Sequence, residues 1–505
     1  LTVPVPGSVS RYVFALPQQH SRVLIGLTDV EAPGEIPDVP RPTAEEVSFL
    51  LDTVNAALGS RLGADDVVGS FAGLRPLHGF TYRFRNARRS RPYGADEQLY
   101  AMIHHASGGL GHNTLEYLRD FFFAGVDSNT ETPLRGRQID VETQALINLS
   151  EALRKDRKDI ADRRAWDRQR RFHPPLYPEA SNLLAEDIVG LLFHKELIPR
   201  SVLVDYLKIL FAFHLALYHL QITKLLPALV RGEQPKPDGG FFLDVAGIPG
   251  TAAAGLAERS AAVWFGRIPD LVRATFTIKK LDEFATNLVK LTRLRKPADG
   301  FFAVRDLLAL LDAKYKKDRE KFGAVRLQGI VDRSRTDDED LDSTLAQIVQ
   351  LDLDPFTTYI EVITAFRVSF HRKYITECLD TLLLKNRPGA MIAQPRRGER
   401  RFILDARLLE VLLQIALLRQ GGSSGLRTTA MRVDEFLTVL RERYGLYIDR
   451  LPPGDGFERP AITDHAALRE NVQAFTARLR EIGFYSDLSD AYLTQTITPR
   501  YVVTD

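Results

Sequence analysis

The chain has 505 residues, with 67 Lys and Arg against 65 Asp and Glu and a formal net charge of +2. With 45% hydrophobic and 26% charged residues it has the balance of an ordinary globular protein long enough for several domains. A near-neutral charge excludes a generally polycationic nucleic-acid coat and confines such contact to a local basic face. The single cysteine, Cys378, excludes an internal disulfide and any site built from several thiolates, which predicts a reducing, cytoplasmic setting.

The runs RYVFALP (11–17) and RVLIGLTDV (22–30), separated by the polar QQHS, predict an antiparallel strand pair. In PTAEEVSFLLDTVNAALG (42–59), Thr43 and Glu46 stand at capping-box spacing, and Val47, Leu50, Leu51, Val54 and Leu58 follow a helical stripe. DDVVGSFAGLRPL (65–77) then returns as an expected strand, giving a β-β-α-β order for residues 1–78.

VPVPGSVSRYVFALPQ, VLIGLTDV, IPDVPRPTAEEVSFLLDTVN and DDVVGSFAGLRPL together resemble the substrate-domain segment of FAD-dependent glycerol-3-phosphate dehydrogenases, particularly actinobacterial ones. The resemblance implies that Arg75 would bind the substrate phosphate and that Thr28 and Asp29 would lie beside the active site. Arginine suits that role because its planar fork donates two charge-assisted hydrogen bonds. The strand-G-x-G-x-x-G-helix unit that seats a flavin pyrophosphate does not precede these motifs. The expectation is therefore a dehydrogenase fragment joined to another protein by recombination or an upstream start, with no cofactor. FAD and dehydrogenase chemistry belong to an alternative reading.

TYRFRNARRSRPYG (81–94) interleaves Tyr82 and Phe84 with five arginines from Arg83 to Arg91, a pattern that suits a phosphate backbone or a solvated loop. YAMIHHASGGLGHNTLEYL (100–118) has the outline of a dinucleotide loop, but Thr114 fills the third glycine position, so a glycine-rich turn before a helix is expected. From Leu115 onward the pattern is mainly helical. EALRKDRKDIADRRAWDRQRR (151–171) reads as an exposed helix held by its own ion pairs. HPPLYPEASN (173–182) and LVRGEQPKPDGG (229–240) interrupt the chain, and a pair of core helices is expected between them. His214 and His219, five residues apart, point to different helix faces and read as core histidines.

GGFFLDVAG (239–247) predicts a short buried strand carrying Asp244, and LDLDP (351–355) offers Asp352 and Asp354. These three acids are the candidates for a metal-dependent nuclease or phosphatase site, with a half-exposed strand or helix entry as the structural alternative. DRSRTDDEDLDS (332–343) lacks the glycine and final glutamate of a calcium loop and reads as a solvated linker.

PRRGERRFILDARLLEVLLQIALL (395–418) places Arg396, Arg397, Arg400 and Arg401 around Gly398 as a basic hairpin before an apolar helix. RVDEFLTVLRERYG, ALRENVQAFTARLREIGF and AYLTQTITPRYVV then complete three helices and a strand, the element order of a winged-helix module. On its third helix Leu468, Val472, Phe475, Leu479 and Ile482 form the expected buried stripe, leaving Arg469, Gln473, Arg478 and Arg480 to read base edges or hold phosphates. LLFHKELIPRSVLVDYLKILFAFHLALYHL (191–220) and LREIGFYSDLSDAYLTQTITPRY (479–501) are similar to an uncharacterised helical component of bacterial methylation-associated anti-phage defence systems, a resemblance spanning residues 80–505 that transfers no site residues.

The chain is thus expected to be a predominantly α-helical multidomain protein with a small N-terminal α+β fragment (1–78), a helical domain (79–235), a mixed, mainly helical domain (236–390) and a winged-helix-like module (391–505). Its expected role is a non-catalytic binding or scaffold subunit of a defence complex acting at duplex DNA, with other defence proteins as partners and no membrane.

Overall fold

A computed structural model describes residues 2–4, 12–18, 22–26, 43–56, 61–67, 95–126, 134, 139, 144, 174–235, 239–297, 300–334, 343–421, 425–457, 461–485 and 496–503. Helices dominate and strands occur as one small sheet and short pairs, the predominantly α-helical class expected from the sequence. The chain divides into two compact units, residues 1–94 with 125–170, and residues 95–124 with 171–505.

In the first unit, β1 (Thr2–Pro4), β2 (Tyr12–Gln18) and β3 (Arg22–Gly26) form an antiparallel sheet in chain order, with Phe14 opposite Gly26. Helix α1 (Ala44–Asn55) begins with the expected reciprocal cap: the Glu46 N–H donates to the Thr43 hydroxyl at 3.2 Å, and the Thr43 N–H donates to the Glu46 carboxylate at 2.8 Å. Val54 is buried on its inner side, and α1 packs against β1 and β2. The Asn55 amide then exchanges two hydrogen bonds with the Leu62 backbone, closing the following loop. Of the strand expected over 65–77, Asp65 and Asp66 lie instead in a 3-10 turn, where Asp66 accepts the Gly63 N–H. Val67 follows it outside any strand, and residues 68–77 lie outside the described residues, as do the arginine-rich run 81–94 and the charged segment 151–171.

The second unit is built around α5 (Arg200–Val230), which follows α2 (Ala95–His104), α3 (Leu110–Phe122) and α4 (Glu179–Leu192). Its apolar residues recur on every side rather than on one stripe, so it must be covered all round. By length and composition α5 could cross a membrane, yet 61% of its most apolar window is buried. The cover comes from α4, from α7 (Ile268–Lys290), which follows α6 (Ala252–Gly266), and from α11 (Pro355–Leu382) and α12 (Ala406–Ala416). The intervening helices are α8 (Val304–Leu308), α9 (Lys316–Ser334) and α10 (Ser343–Val349). A second hydrophobic cluster joins α7, α8, α9 and α11 through Leu281, Phe284, Leu307, Phe322 and Phe356. A Cβ at Gly323 would stand 2.5 Å from the Phe356 backbone, so only glycine lets α9 and α11 cross this closely.

Short strand pairs tie distant segments together. β4 (Phe241–Phe242) runs parallel to β10 (Leu446–Tyr447), β5 (Ile392–Ala393) pairs antiparallel with β6 (Arg401–Phe402), and β7 (Leu418–Gln420) pairs with β8 (Leu426–Thr428). β9 (Met431–Arg432), which leads directly into α13 (Val433–Tyr444), pairs antiparallel with β11 (Thr496–Ile497), beyond α14 (Ile462–Glu481). Gly239 and Gly240 before β4 are required by close approach: a Cβ would meet the Trp264 ring at 2.2 Å on the first and the Tyr447 ring at 2.5 Å on the second. A single cluster of buried side chains runs from Met102 to Ile497, so segments 79–235, 236–390 and 391–505 all contribute to one core.

Helix α14 is turned relative to the expected stripe. Phe475 and Leu479 are buried as anticipated, but Leu468, Val472 and Ile482 are only half-buried, while Asp464, Ala467 and Asn471 face inward. The cause is Asn471: its carbonyl accepts the Val245 N–H at 2.9 Å, and its amide donates to the Leu243 and Ile448 carbonyls at 2.8 and 3.0 Å. One polar side chain therefore satisfies three backbone groups beside β4 and β10, and a hydrophobic stripe cannot reveal it.

Candidate nucleic-acid interface

The basic hairpin forms as the sequence suggests, but its arginines divide between tip and root. Arg396 and Arg397 are exposed at the tip, and neither makes an ion pair with a described residue. At the root, Arg400 donates to both carboxylate oxygens of the buried Asp380 at 3.0 and 2.9 Å, and its guanidinium lies 5.3 Å from the Phe265 ring centre. Lys385 reaches the same carboxylate. Arg401 is 4% exposed, donates to the Gly247 carbonyl at 2.6 Å and stands 3.3 Å from the Asp244 carboxylate. That last contact is an ion pair without hydrogen-bond alignment, since the Arg401 Nε and the Asp244 Oδ2 have no aligned partner. Burial pushes the Asp244 carboxyl up, against the opposing pull of the Gly247 N–H and the Arg401 charge.

The three acids weighed as metal ligands take separate places. Asp244 faces Arg401. Asp354 caps α11, accepting the N–H groups of Phe356 and Thr357 at 3.1 and 3.2 Å. Asp352 is exposed in a left-handed conformation with φ of 47°. Among the described residues no group of three or more His, Cys, Asp or Glu side chains converges.

On α14, Arg469 and Gln473 are exposed. Arg478 is half-buried and pairs with Glu481 at 3.2 Å, and Arg480 lies over the Tyr485 ring at 5.1 Å. Arg478 and Arg480 are thus engaged within the chain, while Arg469 has no ion-pair partner among the described residues and Gln473 is exposed beside it.

A polar cluster centres on the buried Asp187. Asp187 on α4 accepts from His214 of α5 at 2.9 Å, from the Tyr444 hydroxyl at 2.8 Å and from Arg443 at 2.5 Å, and Arg443 also reaches Glu186. Burial alone would push the Asp187 carboxyl up, but the hydrogen bond and charge of His214 and the charge of Arg443 bring it below the usual carboxylate range. His219 bonds to Gln98 at 2.8 Å, and burial pulls its imidazole down to about 4. Both histidines are thus packed into the core with partners, as expected. In the GGLG turn, Gly109 is left-handed at the start of α3, and a Cβ at Gly111 would stand 2.2 Å from the Ile103 carbonyl, so these glycines serve the α2–α3 corner. Cys378 is half-buried, and burial pushes its thiol up to about 11.

A surface that sequence periodicity did not single out lies on α11. Phe366, Phe370 and Tyr374 recur every fourth residue and are 49%, 65% and 44% exposed. Arg367 and Lys373 stand exposed beside them, Arg372 is exposed on the other side of the helix, and no acid occurs from 362 to 376. Phe366 and Arg367 border a cavity of about 270 Å³ shared with Lys279 and Lys280 of α7 and Ile330 of α9. The signal was present in FRVSFHRKY (366–374), aromatic and basic residues without an acid.

Thr28, Asp29 and Arg75, assigned by resemblance to a substrate site, lie outside the described residues. The resemblance itself is borne out: a 113-residue segment is 50% identical to glycerol-3-phosphate dehydrogenase 1 of Mycobacterium tuberculosis, covering 22% of each protein. A 67-residue segment is 43% identical to glycerol-3-phosphate dehydrogenase of Pseudomonas aeruginosa, covering 13% of each. The chain therefore spans about a fifth or less of the length of these curated relatives. No solved structure matches it. A family model described as methylation-associated defense system protein MAD7 matches residues 59–501, most of the chain and nearly all of the second unit, and on that extent the chain belongs to the MAD7 family of methylation-associated defense system proteins.

Proposed function

We propose that the chain is a non-catalytic binding subunit of a bacterial methylation-associated defence complex, working in the cytoplasm beside other defence proteins. It docks on duplex DNA through the tip of the β5–β6 hairpin and the outer face of α14. The observation that carries this reading is the pair Arg396 and Arg397, adjacent exposed cations at a hairpin tip that form no ion pair with a described residue, with Glu399 as the one acid of the hairpin. Two such residues suit phosphate contact, while Arg469 and Gln473 have the donors for base edges. The buried acids support a structural rather than a hydrolytic body, since Asp187, Asp244 and Asp380 each face an arginine.

Fluorescence anisotropy of a labelled duplex, titrated with the full chain at low and physiological salt, tests it. Saturable binding that weakens with salt and falls with Arg396→Ala and Arg397→Ala is expected. A flat response at both salts overturns it. The dehydrogenase-like segment is proposed to carry no flavin, so a purified chain with a bound yellow chromophore would overturn that part independently.

A further inference from the structure

We propose that single-stranded nucleic acid binds along the outer face of α11, with bases stacked on Phe366 and Phe370 and phosphates met by Arg367 and Lys373 of α11 and Lys279 of α7. This goes beyond duplex docking, because it concerns another helix and another form of the polymer. An aromatic ring at each fourth residue of a helix lies on nearly one face, and successive rings are about 6 Å apart along the axis. That interval is well above the roughly 3.4 Å rise per base along a duplex strand. Rings so spaced suit bases that have been spread apart, and paired bases inside a duplex present no free face to stack on. Phe370 and Tyr374 lie nearly parallel, 6.4 Å apart with an interplanar angle of 11°, and His371 holds edge contacts to both Phe370 and Phe276. The rings are thus supported while much of their surface stays exposed.

Charge selects the occupant. An apolar face alone would suit another protein, but here Arg367 and Lys373 flank the rings on the same side of the helix, and neither pairs with a described acid. Beside them Lys279 of α7, also exposed and without an ion-pair partner among the described residues, lines the same cavity as Phe366 and Arg367. A track of cations with aromatic platforms is the arrangement that follows a single strand without regard to sequence.

The test uses the full chain and a labelled oligodeoxythymidylate, compared with a duplex of equal length. Saturable binding of the single strand is expected, weakened roughly tenfold for each ring removed in Phe366→Ala and Phe370→Ala. In Arg367→Gln with Lys373→Gln, the salt dependence should become shallower by about 0.7 in logarithmic slope for each phosphate left without its cation. Unchanged thermal unfolding of these surface variants shows that the fold is intact. Failure to bind the single strand overturns the proposal, as does equal binding by the double phenylalanine variant. A change confined to oligomer mass by light scattering also overturns it and marks the face as an interface between copies. The Arg396→Ala, Arg397→Ala protein should retain single-strand binding, so failure of duplex docking and failure of this site are read separately.

Discussion

The two ends of the β5–β6 hairpin carry arginines of the same kind and put them to opposite uses. At the tip, Arg396 and Arg397 stand in solvent; at the root, Arg400 and Arg401 are drawn inward by Asp380 and Asp244. In the sequence PRRGERR the four look like one basic patch. The difference shows that an arginine's availability is set by whether an acid from elsewhere in the fold has already claimed it. Helices α14 and α11 repeat the contrast: Arg478 is taken by Glu481, whereas Arg367 and Arg372 find no described acid.

The contrast can be broken most severely at the root. Arg401→Ala leaves Asp244 buried without its counter-charge, and urea unfolding should show a loss of about 3–5 kcal/mol. Asn471→Ala strands three backbone groups in the interior and should cost on the order of 3 kcal/mol in the same assay. Arg400→Ala should cost only about 1 kcal/mol, because Lys385 remains beside Asp380. Acid titration sharpens the point from another side. The folded-state carboxyl of Asp187 is held below its unfolded value of about 4, so its contribution is complete above that pH and is lost as pH falls through the lower, folded value. Asp187→Asn should remove that part of the acid-side slope, measured as urea midpoint against pH. The smallest stability change, within about 0.5 kcal/mol, belongs to Arg396→Ala with Arg397→Ala. That variant should nevertheless lose duplex affinity, which the root variants should not if they remain folded.

Local patterns were legible in the chain. Thr43 and Glu46 announce the start of α1, the apolar runs around QQHS give β2 and β3, and Gly398 amid arginines marks the hairpin. The core helices between the two proline-rich breaks were also readable. What escaped depends on long-range partners: Asp244 meets an arginine 157 positions away, and Asn471 bonds to residues 226 and 228 positions away. Such pairing leaves no periodic trace, so the expected stripe of α14 held at Phe475 and Leu479 but missed the inward turn toward Asn471, Ala467 and Asp464. The α11 surface was missed for a different reason, since its aromatic residues at helical spacing look like a core stripe until exposure is known.

Helix α5 carries a consequence for how the chain reaches its native state. Its apolar surface is sealed partly by α12, whose last residue emerges from the ribosome nearly two hundred positions after the end of α5. At ordinary elongation rates that is a delay on the order of ten to forty seconds. During synthesis this long apolar helix therefore waits for its final cover, and shielding by a chaperone in that interval, more than the strength of the finished core, should govern the yield of folded protein.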